Sequence, residues 1–184
     1  MRKVILDLAV TLDGFIEGPN GEIDWCIMDD DMGFDAFLSS IDTIFYGRVS
    51  YEAWGTFQPA PEASSTEQIL WNEVHSKKKF VFSRQIKTDR DATYITSDDI
   101  ANRVSEIKAQ HGKDIWLYGG AGLIKTFMDL GLIDVYRISV HPIVLGKGKP
   151  LFEDIKERIN LNLIKTNQFR SGVVQLIYES ANEI

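Results

Sequence analysis

The order of apolar and polar positions along the chain predicts its elements. Residues 3 to 10, KVILDLAV, form a β-branched, apolar run that ends at the turn-prone Asp13-Gly14, and this reads as a mostly buried first strand. From about 14 to 30 the chain is polar and punctuated by Gly18-Pro19-Asn20-Gly21, so a long loop without regular structure is expected there. Phe34, Phe37, Leu38 and Ile41 then recur at helical spacing over about 33 to 41, behind the acidic cluster Asp29-Asp30-Asp31, whose charge suits a helix N-terminus.

Thr43 to Tyr46 is a short strand closed by Gly47, and Val49 to Trp54 suggests a brief helical turn. After a Pro- and Ser-rich loop, Ser65 and Gln68 are spaced as a capping box for a helix to about 77. Phe80-Val81-Phe82 and Ala92 to Ile95 are further strands. Ser97 is the expected cap of a helix whose apolar stripe is Ile100, Val104 and Ile107 and whose end is Gly112. Asp114 to Tyr118 gives a strand, Gly119-Gly120-Ala121-Gly122 a turn, and Leu123 to Leu130 a helix stopped by Gly131.

Strands that alternate with helices up to residue 130 imply βαβ units on a largely parallel sheet with helices on both faces. The last third changes character. Val135 to Leu145, Leu161 to Lys165 and Val173 to Tyr178 are strand-like with no helical pattern between the last two, so an antiparallel hairpin should finish the sheet. At 184 residues with no internal repeat or linker, a single α/β domain over 1–184 is expected.

Charge and composition then narrow the partners. A net charge of −7 argues against nucleic acid, which needs a basic face, and the basic run Lys77-Lys78-Lys79 reads as a solvated helix end. One cysteine, Cys26, allows neither an internal disulfide nor a thiolate cluster, and with no signal-peptide pattern or spanning segment a cytoplasmic setting is expected. The three histidines share no ligand spacing, so no metal site is predicted; His75 and His111 look exposed on helices, and His141 looks structural. No G-x-S-x-G turn occurs and Cys26 has no evident base, so a nucleophilic mechanism is unsupported.

Three places share one design: a strand ends, and small or hydroxylated residues offer backbone N–H groups to an anion. They are Gly47-Arg48-Val49-Ser50, Ser83-Arg84 and Gly119-Gly120-Ala121-Gly122. Taken singly, each reads first as an ordinary tight turn or the exit from a strand. The glycine cluster is not the full dinucleotide fingerprint, because Lys125 occupies the position of a third spaced glycine; Gly146-Lys147-Gly148-Lys149 lacks the P-loop Ser or Thr and reads as a hairpin-like turn.

Taken in order, these stretches resemble the dihydrofolate reductase-like superfamily. The nearer likeness is to the C-terminal reductase domain of the bifunctional riboflavin-biosynthesis deaminase/reductase and its stand-alone relatives. The resemblance runs through Thr11-Leu12-Asp13-Gly14-Phe15-Ile16, Asp24-Trp25, Tyr46 to Glu52, Val81 to Arg84, Leu117 to Leu123 and His141 to Phe152. It implies a three-layer fold with a mostly parallel mixed sheet and an NADPH-dependent reductase. Gly47, Arg48 and Ser50 would border the pyrophosphate and 2′-phosphate, and Ser83 and Arg84 would clamp the 2′-phosphate, favouring NADPH over NADH. Gly119, Gly120, Ala121, Gly122 and Leu123 would lie against the pyrophosphate and ribose, and Ala9 and Ile16 would border the nicotinamide.

On the substrate side the resemblance offers Trp25, as a stacking ring or plain packing, and Asp30, as a carboxylate on the substrate or an ordinary helix-start acid. The catalytic proton donor is otherwise unassigned. The implied reaction is that of 5-amino-6-(5-phosphoribosylamino)uracil reductase, with reduction of a pterin or folate-like compound as an alternative. No zinc-deaminase signature accompanies it. A non-catalytic dinucleotide-binding dimer is the reading from another class, and relatives imply a homodimer through the C-terminal strands.

Overall fold

The computed structural model describes residues 1–63, 65–85, 89–96 and 98–181. The chain folds as two compact units, Met1–Val4 with Gly33–Ile124, and Ile5–Met32 with Lys125–Ile184.

The first unit holds α1 (Phe34–Ser40), β3 (Ile41–Gly47), the three-residue α2 (Arg48–Ser50), α3 (Ser65–Ser76), β4 (Lys78–Phe82), β5 (Thr93–Ile95), α4 (Ile100–Ala109) and β6 (Asp114–Gly119). Its strands run in the order β5-β4-β3-β6, and every neighbouring pair is parallel. Ile44, Phe45, Val81, Ile115 and Leu117 bury apolar side chains on these strands, and Val104 and Ile107 do so from α4. Each such side chain contributes about 1.5–3 kcal/mol on leaving water.

Several details differ from the sequence expectation. α1 is capped by Gly33 in a left-handed conformation with no side-chain cap, because Asp30–Met32 form a separate 3-10 turn before it. The Gln68 amide donates to the Pro61 and Ala63 carbonyls (3.3 and 3.0 Å), and the side chain of Ser65, its expected partner in a capping box, lies outside the described residues. Ser97 lies outside the described residues, and α4 is capped by Asp99, whose carboxylate accepts from the Asn102 N–H. Gly112 does not end that helix, which stops at Ala109; a side chain there would collide with Asp42 and Arg2. Arg2 is buried and donates to Thr43 (2.6 Å), Asp42 and the Lys113 carbonyl, so the start of the chain is held to β3. Lys79 is likewise buried rather than solvated; its ammonium donates to the His75 carbonyl (2.8 Å), and burial lowers its pKa. His75 is half-buried, with Nε2 against the Phe57 carbonyl, and His111 lies beyond the end of α4.

The second unit is built on β1 (Val4–Thr11), β7 (Val135–His141), β10 (Val174–Ser180) and β9 (Leu161–Gln168), neighbours in that order. β1 and β7 are parallel, and β7, β10 and β9 are antiparallel, which gives the expected C-terminal hairpin. The long loop after β1 contains a short strand that the sequence pattern does not show: β2 (Phe15–Glu17) pairs antiparallel with β8 (Lys149–Pro150). α5 (Ala121–Asp129) begins two residues earlier than expected, so only Gly119-Gly120 form the turn before it. Among the described residues no helix is long and apolar enough to cross a membrane.

Candidate functional site

In the first unit the parallel register delivers three strand ends together. Gly47, last in β3, is paired with Phe82, last in β4, so Ser83 leaves the sheet level with Arg48, and Arg84 follows one residue further on. On the other side of β3, Tyr46 is in register with Gly119 across a bulge. The structure therefore gathers Gly47, Ser50, Gly119, Gly120 and Leu123.

Glycine is required by space and by backbone angle. A Cβ on Gly47 would sit 3.3 Å from the Gly119 carbonyl oxygen and 3.6 Å from the Leu123 Cβ. Gly119 and Gly120 have φ of +105° and +57°, which L side chains rarely adopt. A Cβ on Gly119 would also lie 2.7 Å from the Ile124 Cδ1, and one on Gly120 would lie 3.0 Å from the Ser50 hydroxyl. The Gly120 carbonyl accepts from Leu123 and Ile124 N–H (2.9 and 3.0 Å), which locks the turn onto the first turn of α5. Among the described residues nothing lies within 4 Å of a Cβ placed on Gly122, and its φ is not positive.

The flanking cations differ. Arg48 is partly exposed and donates to Glu52 one helical turn on (2.6 Å). Arg84 is exposed; Ser83 is half-buried, donates its N–H to the Ile95 carbonyl (3.0 Å) and accepts the Gln85 N–H on Oγ (3.0 Å), which shapes the turn. Bare backbone at strand ends that continue into Arg48 and Ser83-Arg84 suits a polyanion. This fits a phosphorylated dinucleotide.

An aromatic cluster adjoining these residues is not foreseen in the sequence reading. Tyr46 is fully buried, its ring 4.9 Å from Tyr118 and 5.6 Å from Tyr51, and its hydroxyl has no hydrogen-bond partner among the described residues. Tyr51 donates to Asp89 (3.0 Å). Burial first, then the neighbouring phenols at Tyr46 and the Asp89 carboxylate at Tyr51, pushes both phenols above their ordinary pKa, so they are neutral groups. The one local signal for them is the aromatic content of Tyr46-Gly47 and Leu117-Tyr118-Gly119.

In the second unit, Ala9 is half-buried on β1 in register with Ser139, and Ile16 is the middle residue of β2. Trp25 is half-buried; its indole N–H donates to the Glu22 carbonyl (3.2 Å), and its ring meets His141 edge-on at 5.4 Å. His141 is buried, with ring nitrogens facing the Ser139 and Ile27 carbonyls (3.1 and 3.3 Å). Asp30 opens the 3-10 turn, and its side chain lies outside the described residues. Burial raises the pKa of the Cys26 thiol, opposite to what a nucleophile needs.

A model of the RibD C-terminal domain family matches residues 2–175. The chain is 61% identical over 178 residues to the Bacillus subtilis (strain 168) protein YyaP, described as uncharacterized, covering 96% of this chain and 94% of that one. It is similar in fold to the Thermotoga maritima diaminohydroxyphosphoribosylaminopyrimidine deaminase/5-amino-6-(5-phosphoribosylamino)uracil reductase, with a TM-score of 0.70 at 13% identity over 98% of this chain and 57% of that one. It is similar also to the dihydrofolate reductase of Enterococcus faecalis complexed with NADP(H), with a TM-score of 0.66 at 14% identity over 98% of this chain and 97% of that one. The expected dihydrofolate reductase-like α/β fold is thereby established.

Proposed function

The chain belongs to the RibD C-terminal domain family, and from that premise we propose that it is an NADPH-dependent reductase of a phosphoribosylamino-pyrimidine, of the kind transformed in riboflavin synthesis. The observation that carries this reading is the cradle of Gly47, Gly119 and Gly120. Its backbone is kept bare by steric contacts under 3.4 Å and, at the last two, by positive φ, and it is flanked by Arg48 and Arg84.

In this reading Gly47, Ser50 and Gly119 to Leu123 receive the pyrophosphate and its ribose. Arg48, Ser83 and Arg84 receive the 2′-phosphate, whose double charge selects NADPH over NADH. In the second unit, Ala9 and Ile16 border the nicotinamide, and Trp25 and Asp30 contact the substrate. When bound, NADPH would supply the hydride for reduction of the sugar carbon, with the accompanying proton taken from solvent. The protein contributes alignment and exclusion of water, which together account for much of the acceleration in hydride transfer. The single-domain, cytoplasmic, homodimeric organisation belongs to the same proposal.

The test is to mix the purified protein with NADPH and 5-amino-6-(5-phosphoribosylamino)uracil and follow NADPH absorbance and product by mass spectrometry. The proposal expects one NADPH oxidised per ribitylamino product formed. NADPH that stays reduced while binding tightly would refute the substrate assignment.

A further inference from the structure

Where the chain leaves β1, an exposed carboxylate captures a turn far away in sequence. Asp13 Oδ1 accepts from the Thr11 hydroxyl (2.7 Å) and the Leu145 N–H (3.2 Å), and Oδ2 accepts from the Gly146 N–H (2.7 Å). The Thr11 oxygen in turn accepts the Phe15 N–H (2.9 Å). Partial desolvation raises the Asp13 pKa, but the Thr11 hydroxyl and the Gly146 and Leu145 N–H groups outweigh it and leave the carboxyl below its ordinary range. At neutral pH it is an anion held by consecutive backbone N–H groups, the strong form of such a bond.

The capture is the first of a series of ties between the same two segments. Leu12 N–H donates to the Ile143 carbonyl (2.9 Å) and Leu151 N–H to the Gly14 carbonyl (2.9 Å). β2 then pairs with β8, and the chains approach so closely at Gly148 that a Cβ there would stand 2.3 Å from the Glu17 carbonyl oxygen. β2 has three residues and β8 two, too few to hold a register unaided. Asp13 and Thr11 anchor the end of this ladder nearest β1.

Resting on the reading above, we infer that Asp13 is a positioning residue for hydride transfer: by pinning the loop after β1 to the turn after β7, it sets Ile16 against the nicotinamide. It touches neither cofactor nor substrate and acts through β2. A carboxylate is needed because both oxygens are used as acceptors; an asparagine would turn an N–H2 group toward one of the backbone N–H groups.

The experiment compares wild type with Asp13→Asn and, as a second route to the same lesion, the near-isosteric Thr11→Val. Affinities for NADPH and for 2′,5′-ADP, which carries the 2′-phosphate but no nicotinamide, are measured beside kcat and KM. The inference expects 2′,5′-ADP affinity to stay within about twofold, while NADPH affinity and kcat each fall about tenfold, the scale of a displaced positioning contact. Hydrogen exchange should also accelerate at the Leu145 and Gly146 amides. Unchanged NADPH affinity and kcat in a variant whose two amides exchange faster would overturn it, leaving Asp13 a purely structural tie. Wild-type protein that binds neither ligand would instead overturn the cofactor reading and the inference with it.

Discussion

The glycine cradle of the first unit and the strap of the second hold their shapes by opposite means. At Gly47, Gly119 and Gly120 the backbone is stripped of side chains so that it can bend and approach closely. At Asp13 a side chain does the holding, by capturing two backbone N–H groups. In the first arrangement an added Cβ meets the Gly119 carbonyl, Ile124 or the Ser50 hydroxyl at 2.7 to 3.3 Å. The second should tolerate added volume, since Asp13 is exposed, and fail only when its acceptors are removed. The cradle is rigid by sterics, and the strap is adjustable by chemistry.

The sharpest way to break this contrast is Gly119→Ala. The new methyl group would meet Ile124 at 2.7 Å on a backbone with φ +105°, a combination that costs about 1–3 kcal/mol. NADPH binding should be lost and the melting temperature lowered. Gly122→Ala, where a Cβ meets no described atom within 4 Å, should keep measurable NADPH binding, weakened far less than in Gly119→Ala, and melt slightly higher, since alanine favours a helix over glycine by about 0.5–1 kcal/mol. Equal damage from both would mean that glycine content, rather than the cradle, matters.

A smaller effect separates charge from shape. Arg84→Ala should weaken NADPH by ten- to a hundredfold, about 1.5–3 kcal/mol for a charged hydrogen bond, with little change for NADH; competition by 2′,5′-ADP would show the same loss. Asp7 addresses the second unit. It is fully buried on β1 opposite Arg137 of β7, 3.7 Å away; desolvation raises its pKa to about 6, and the Arg137 charge only partly opposes this. A carboxyl raised in the folded state contributes stability that is fully present below its unfolded pKa of about 3.9 and lost as pH rises through about 6. Melting temperatures of wild type relative to Asp7→Asn should therefore rise from pH 7 to pH 4, with NADPH affinity at pH 7 unaffected. The smallest effect is at Glu52, which holds Arg48 in an exposed pair. Glu52→Gln should tighten NADPH a few-fold, within the roughly 1 kcal/mol such pairs carry, and leave NADH unchanged.

The same contrast bears on what is legible in the sequence. The strands of the buried sheet are legible because burial demands continuous apolar runs, as in KVILDLAV and Phe80-Val81-Phe82, and the glycine stations are legible because each follows such a run, although the contacts that exclude a Cβ at Gly47 and Gly120 come from Gly119 and Ser50, far away in sequence. β2 is not, since three half-buried residues make no pattern. The start of α5 is displaced in the sequence reading because Gly122 resembles a turn residue although it lies inside the helix. Asp13-Gly14 is visible as a turn, yet the partners of its carboxylate lie 132 and 133 residues away, beyond any local rule. Lys79 looks like part of a solvated run because its partner is a backbone carbonyl of another element, the His75 carbonyl of α3.

The measurement that bears most directly on the cradle is a calorimetric titration of the wild-type protein with NADPH and NADH under identical conditions. The cradle and its flanking cations predict one tight site for NADPH and binding at least about tenfold weaker for NADH, the share expected of the 2′-phosphate contacts. Equal affinity for the two would contradict the roles of Arg48, Ser83 and Arg84, and binding of neither would remove the dinucleotide from the account.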